Sequence, residues 1–395
     1  MLGQRLKQFR LANSMSLDEL VAATGGIVSK VALSKYERNI IKPSNRVLNS
    51  LAKAFNVKII SLVSPPDIRV EFIAYRNGSA LSKKEQANVE SLVTSKLEDM
   101  IKIQDLLFHN SKPNLPLKHF QIKSLPDVET ASVELREKWK LGLDPISSIT
   151  QSLENNFIHT ISLKSDKSFD GISALAYSQS ASGGQLKAAA VVSKTNIPGE
   201  RQRLNLAHEL GHIVLDISPD VDEERAAFRF GGAFLAPADT IYKIVGRRRN
   251  HFQIRELYLL KKIFGISIQS LLFRLKDLDI ISSSSFSMWF RIINKNNWKK
   301  NEPMPMKEEK SQWFERNVLH AFSEGLISSD EAARLLGDDI DPGKPGLSLI
   351  KKKEFMKLSI KDRERILSEE ADKLAHFYET NKERKDLGAG EFIEY

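Results

Sequence analysis

His208-Glu209-Leu210-Gly211-His212 sets two histidines four residues apart, with a glutamate beside the first. On a helix, residues four apart share one face, one turn from each other. Two imidazoles so placed can close on one Zn²⁺, and the glutamate can act as a general base towards water. The chemistry this spacing suggests is metal-assisted hydrolysis of a peptide bond. A catalytic zinc usually takes a third protein ligand and keeps one position open. The chain contains no cysteine, so that ligand must come from His, Asp or Glu. A carboxylate on a later helix is expected, and residues 220–228 start such a helix. Glu224, Ala227 and Phe230 fall at i, i+3 and i+6, so Ala227 and Phe230 can pack inward while Glu224 points at the metal. Glu223 and Asp222 compete with Glu224 for the role.

These residues need a helix with a buried side. Leu204, Ala207, Gly211, Val214 and Leu215 recur at helical spacing around the motif and predict one buried face, with the His/Glu face along its border. The Arg-rich stretch before it reads as a strand end. Gly211 costs about 1 kcal/mol relative to Ala inside a helix, and a close backbone contact would explain it. Tyr242, Arg201, Arg203 and His251 lie near in sequence and are read as structural. No group that would stabilise an oxyanion is legible. His109, His119, His159, His320 and His376 have no ligand partner at useful spacing.

The elements around the motif imply an α+β chain, mostly helical. Residues 70–75, 158–163 and 188–192 alternate well enough for strands, and Phe169-Asp170-Gly171 reads as a turn into another. Helices are expected from about Lys83 to Leu107 and from Asp127 onwards, with Pro113, Pro116 and Pro126 marking a linker between them. Ser282 to Ser285 reads as a break, and residues 298–303 as a polar connector. Two short helices are expected between 312 and 336, with Gly325 between them and an N-cap at 327–331. A charged helix is expected over 353–381.

The 395 residues suggest two or three domains. No run approaches the roughly 18 apolar residues of a membrane span, and the N-terminus lacks a signal-peptide core. The absence of cysteine excludes a disulfide framework and fits a reducing cytosol. The expected location is cytoplasmic, and nucleoid-associated when bound to DNA. Net charge is +9, and residues 1–60 hold ten Lys/Arg against three acids. A basic module of this kind fits a polyanion partner.

That module reads as short helices. Ser16 and Glu19 form a capping box, Gly25-Gly26 breaks the helix they open, another begins near Ser29, and Pro43-Ser44 opens a fourth. Helix, short turn, helix within a basic bundle is the layout of a helix-turn-helix DNA reader. Residues 3–62 resemble the Cro/C1-type (XRE) family. The likeness rests on Arg5-Leu6-Lys7, Met15 to Leu20, Leu33-Ser34-Lys35-Tyr36-Glu37-Arg38 and Pro43 through Phe55. By family position, Ser29, Lys30, Val31 and Ser34 would face the major groove, and Lys35 and Arg38 the phosphates. The family often has Gln at the start of its second helix, where this chain has Leu17.

The stretch from Pro198 to His212 resembles the ImmA/IrrE family of zinc metallopeptidase-like domains. So do Glu224-x-x-Ala227-x-x-Phe230 running to Phe234-Leu235-Ala236-Pro237, the helix pair from Leu260 to Leu275, and the Phe169-Asp170-Gly171 turn. The likeness spans about 127–280, with a looser extension to about 336. Ala226 stands where the family often has a second acid, and Phe228 where it often has Asn. The resemblance implies Zn²⁺ held by His208, His212 and Glu224, Glu209 as the catalytic base, and cleavage of repressor-like or antitoxin-like proteins. The last residues, Gly388 to Tyr395, are similar to the ends of small bacterial antitoxins.

The expected organisation is a DNA-binding domain at 1–66, a strand and helical linker at 67–126 and a metallopeptidase domain at 127–282. A helical extension at 283–340 and a charged, partner-binding tail at 341–395 follow. Two functions fit. One is a DNA-binding regulator that cuts a repressor or antitoxin. The other is an antitoxin or repressor whose peptidase-like domain senses or binds, and whose tail neutralises a toxin. Either would meet an operator in double-stranded DNA, as a homodimer if it reads two half-sites.

Overall fold

The computed structural model describes residues 2–73, 82–109, 113–163, 171–179, 184–249, 251–337, 359–360, 362–365 and 368. Phe169-Asp170, Ala74-Tyr75 and nearly all of the tail at 341–395 lie outside these residues. The chain divides into two compact units, Met1–Asn317 and Val318–Tyr395.

Five helices open the first unit: α1 (Leu2–Ala12), α2 (Leu17–Ala23), α3 (Lys30–Glu37), α4 (Asn45–Ala54) and α5 (Ile59–Val63). Ser16, Ser29 and Ser44 cap α2, α3 and α4 by accepting the backbone N–H three residues on, and Glu19 completes the capping box. Leu6, Phe9, Leu20, Leu33, Leu51 and Phe55 form the core of this bundle. Arg10 is buried and grips Glu37 through two bonds of 2.5 and 2.9 Å.

The next elements are β1 (Ile68–Phe72), α6 (Lys83–Leu107), β2 (Phe120–Ile122), α7 (Asp127–Lys138), α8 (Ile149–Glu154), β3 (Ile158–Leu163), β4 (Ile172–Ser178) and β5 (Leu186–Lys194). One sheet has the order β1-β4-β5-β3. β1 and β5 run antiparallel to β4, and β3 runs parallel to β5. Both faces of this sheet are covered. Ile172, Ala174, Ala176, Ala188, Ala190 and Val192 share a core with Val93, Leu97 and Ile101 of α6. Leu175, Ala189 and Val191 point the other way, into the core that contains Leu206, Ala207, Leu210 and Ile213. A strand buried on both faces has no need of polar alternation, which is why Ala188-Ala189-Ala190-Val191-Val192 alternates so loosely.

Residues 67–126 therefore do more than link. They supply an edge strand and the helix that covers one face of the sheet. α6 also receives the N-terminal bundle: Arg5 of α1 donates to both carboxylate oxygens of Glu98, at 2.5 and 2.7 Å, and both side chains are nearly buried.

Then follow α9 (Gly199–Val214), β6 (Leu215–Ile217), α10 (Glu223–Leu235), α11 (Ala238–Val245), α12 (Ile254–Phe264), α13 (Ile268–Asp277) and α14 (Ser283–Lys295). Three expectations change here. The Arg-rich stretch is the first turn of α9 and not a strand end. Leu215 leaves the helix and starts β6, which pairs in parallel with β2. The single buried face becomes burial nearly all round, because α9 lies between the sheet and α10. Ser282 to Ser285 is likewise no break: Ser282 caps α14 by accepting from the backbone N–H of Ser285. Trp289 and Ile293 of α14 join the same core as α13.

Residues 302–309 strap this layer. Glu302 binds Lys261 Nζ and the backbone N–H of Ile268, and Glu309 accepts from Ser148 Oγ and the backbone N–H of Thr150. α15 (Trp313–Ser323) leads out of the first unit. In the second, α16 (Ser329–Leu336) is capped by Ser328, whose side chain accepts from Glu331 N–H, and is closed by Gly337 in the left-handed region.

Candidate functional site

α9 carries both histidines and Glu209, and all three are buried, at 1–2% exposure. Its approach to α10 is close because small residues line the contact. A Cβ on Gly211 would stand 3.2 Å from Phe230 Cδ1 and 3.3 Å from Ala227 Cα, and one on Gly231 would stand 3.1 Å from His208 N. Gly211 thus meets the neighbouring backbone that its cost in a helix called for. The contact brings the first turn of α10 alongside the histidines.

There the three expected donors converge. His208 Nε2 and His212 Nε2 are 3.1 Å apart. Glu224 Oε2 is 3.7 Å from His208 Nε2, and Glu224 Oε1 is 3.7 Å from His212 Nε2. Donors about 2.1 Å from a tetrahedral zinc stand about 3.4 Å from one another, so this trio matches the span of a zinc site. All three donor atoms lie within 4.8 Å of one another, and this is the group of metal-binding type found among the described residues.

The competing acids have other work. Asp222 caps α10 by accepting from the backbone N–H of Arg225. Glu223 Oε1 lies 3.2 Å from His212 Nδ1. A proton on Nδ1 donated to Glu223 leaves Nε2 bare for a metal and fixes the ring's rotation. Ala227 and Phe230 are fully buried, as the helical spacing predicts.

Glu209 is held from the sheet. Ser173 Oγ of β4 donates to Glu209 Oε2 at 2.6 Å and also lies 3.1 Å from the Glu209 backbone oxygen. Gly171 gives the carboxylate room, since a Cβ there would be 2.4 Å from Glu209 Oε1. Neither the Ser173 contact nor the second role of Glu223 is visible in the spacing of the motif. The signal for Ser173 was the period of two in β4: Ser173 and Leu175 face α9, whereas Ile172, Ala174 and Ala176 face α6. Phe228 packs its ring 4.0 Å from that of His208.

Arg203 and Tyr242 are structural, as expected. Arg203 is buried, donates to the backbone oxygens of Ile146, Ser147 and Gly265, and pairs with Glu309. Burial alone would raise the Glu309 carboxyl, but Arg203 and the bonds from Thr150 and Ser148 outweigh it and hold the group below the usual glutamate value. Tyr242 donates to the Leu278 oxygen. Arg201 and His251 are exposed. His159 is buried in the sheet. Gln104 donates its amide to the Lys187 oxygen, which turns its Oε1 towards His159 Nε2. Burial drives the His159 pKa down to about 3, so the ring is neutral.

The residues expected to read DNA lie on an open surface. Val31 is 64% exposed and so is not a core residue. Lys30, Lys35, Arg38 and Ser29 are exposed, and Ser34 is half-buried. Several of them have local partners: Ser29 caps α3, Lys30 pairs with Asp18 at 2.6 Å, and Arg38 Nε donates to the Ser34 oxygen. The charge count overstates the footprint by one, because Arg5 pairs inside the fold with Glu98, beyond the counted residues, whereas Glu37, the partner of Arg10, is already among the three acids.

Residues 6–62 match the family model described as helix-turn-helix, and residues 189–276 match that of the IrrE N-terminal-like domain. No curated protein matches the chain closely enough to add to these two findings. The chain therefore carries an XRE-type helix-turn-helix module and, further on, an ImmA/IrrE-type peptidase-like domain. The second match begins within β5, later than the likeness seen from residue 127. No helix among the described residues is long and apolar enough to cross a membrane.

Proposed function

We propose that this protein is a DNA-binding transcriptional regulator that cleaves a repressor-like or antitoxin-like protein at a zinc centre. The observation that carries the proposal is the convergence of His208, His212 and Glu224, with Glu209 fixed on the same helix. Zinc held by these donors would supply Lewis acidity towards the peptide carbonyl and towards water. Glu209 takes a proton from the attacking water and returns it to the departing amine. The Ser173 hydroxyl holds the Glu209 carboxylate in place for both transfers, and Glu223 orients His212. Glu224 keeps 44% of its side chain exposed, so the substrate approaches from the α10 side.

The substrate class follows from the other module. Ser29, Lys30, Val31 and Ser34 face the bases, and Lys35 and Arg38 face the phosphates. The bundle that presents them is fixed to α6 through Arg5 and Glu98. Chemistry attached to a DNA address serves to remove a regulator.

The test is to incubate the wild type and Glu209→Gln with Zn²⁺ and candidate repressor proteins, then read the fragments by mass spectrometry. The wild type should yield a defined fragment. Glu209→Gln should yield it at a rate lower by about 10²–10⁴-fold while retaining metal. No Glu209-dependent fragment from any candidate would leave a binding module in place of an enzyme.

A further inference from the structure

Beside the metal centre lies a cavity of about 730 Å³. Its wall includes three phenylalanines: Phe228 of α10, Phe273 of α13 and Phe286 of α14. Phe228 and Phe273 are 43% and 47% exposed. The rings of Phe273 and Phe286 meet edge to face at 5.1 Å. Clustered, half-exposed aromatic rings mark a binding surface more often than single exposed ones do.

The cavity is continuous with the site. Glu224 lines it and also reaches both histidines. Phe228 lines it and also packs on His208. The charged residues of the lining, four cations and three carboxylates, nearly cancel. Two of the cations, Arg229 and Arg274, are held by Glu129 at 3.0 and 2.6 Å. What remains for a ligand is mainly apolar. Gly232 leaves one side open: a Cβ there would meet only Arg274 Cδ, at an ordinary 3.6 Å. Packing does not demand glycine at this position. The volume lies within the roughly 300–1,000 Å³ typical of ligand cavities.

We propose that this cavity is the subsite that receives a large apolar side chain of the peptide, aromatic or branched aliphatic, adjacent to the scissile bond. The proposal rests on the peptidase reading above and narrows its substrate to segments with such a residue at the cut. A peptide crossing the exposed edge of Glu224 has Phe228 as the first wall its side chain meets, with Phe273 and Phe286 beyond.

The test uses the full-length, zinc-loaded protein and two small hydroxamates, one bearing a benzyl side chain and one bearing none, titrated by calorimetry. Neither probe is cut, so binding is read apart from turnover. The wild type should prefer the benzyl compound by about tenfold or more. That ratio should fall towards one in Phe273→Ser, which changes a half-exposed side chain. It should also fall in Gly232→Leu, which fills the cavity from a different helix. Zinc content and circular dichroism check that both variants are intact. Equal binding of the two probes by the wild type overturns the subsite, and so does a preference that survives both substitutions. If equal binding occurs while proteins are still cut, the subsite alone fails. If the preference and its loss appear while nothing is cut, the subsite stands and the hydrolytic reading fails.

Discussion

The two helices proposed to act, α9 at the metal and α3 at DNA, are built by opposite rules. Of the sixteen residues of α9, thirteen are buried; of the eight of α3, Leu33 alone is. Two of the side chains proposed to act on α9 are held by a second element. Glu209 is held by β4, His212 by Glu223, and the spacing of the donors by glycines against α10. On α3 the residues proposed to read DNA stand in solvent except for half-buried Ser34, and their partners are short-range caps and surface pairs. The difference follows from the task. Hydrolysis needs donors fixed before the substrate arrives, in a place where water does not weaken them. Reading a groove needs side chains free to reach base edges and phosphates.

This contrast can be broken first at the contact between α9 and α10. Gly211→Val should force the helices apart, cost about 1–3 kcal/mol of stability and abolish zinc retention. Val31→Ala on α3 should stay within about 0.5 kcal/mol of the wild type. Thermal or denaturant unfolding of the two variants checks this, and similar losses would mean the two helices are equally constrained.

A smaller effect is expected at Glu223. Glu223→Gln should leave all three donors in place yet weaken zinc affinity by about 10–100-fold, measured by competition with a chelator. Unchanged affinity would mean that His212 is oriented by its helix alone.

The smallest effect sharpens the other side of the comparison. A Lys30→Ala, Lys35→Ala double variant should leave the fold unchanged, since the Lys30–Asp18 pair is exposed and contributes little. It should weaken operator binding and, through the loss of the Lys35 phosphate contact, reduce the slope of log affinity against log salt by about one. An unchanged slope in gel-shift titrations would remove Lys35 from the phosphate contacts.

The same contrast explains what could be read from the sequence. The ligand pair was legible because a helix fixes residues four apart without help from the rest of the fold. Glu224 was legible because Ala227 and Phe230 mark the buried side of its helix. Caps at Ser16, Ser29 and Ser44 are local, so the helices of the DNA-binding bundle were legible too. Ser173 was not, because its contact with Glu209 crosses 36 positions and depends on which face of β4 meets α9. The pairing of β2 with β6 escaped notice because three-residue strands carry too little pattern. The serine run at 282–285 misled because serines that look like a linker are also what a helix N-cap prefers. The basic count misled by one charge because it cannot show that Arg5 is consumed by a pair with Glu98, outside the counted residues.

The measurement closest to the central claim is the metal content of the purified full-length protein, by mass spectrometry, beside His208→Ala and His212→Ala. The account predicts about one zinc per chain in the wild type and a loss of zinc in both variants, with the helical circular dichroism retained. A wild type that is folded and takes up no zinc, even when zinc is supplied, would contradict it.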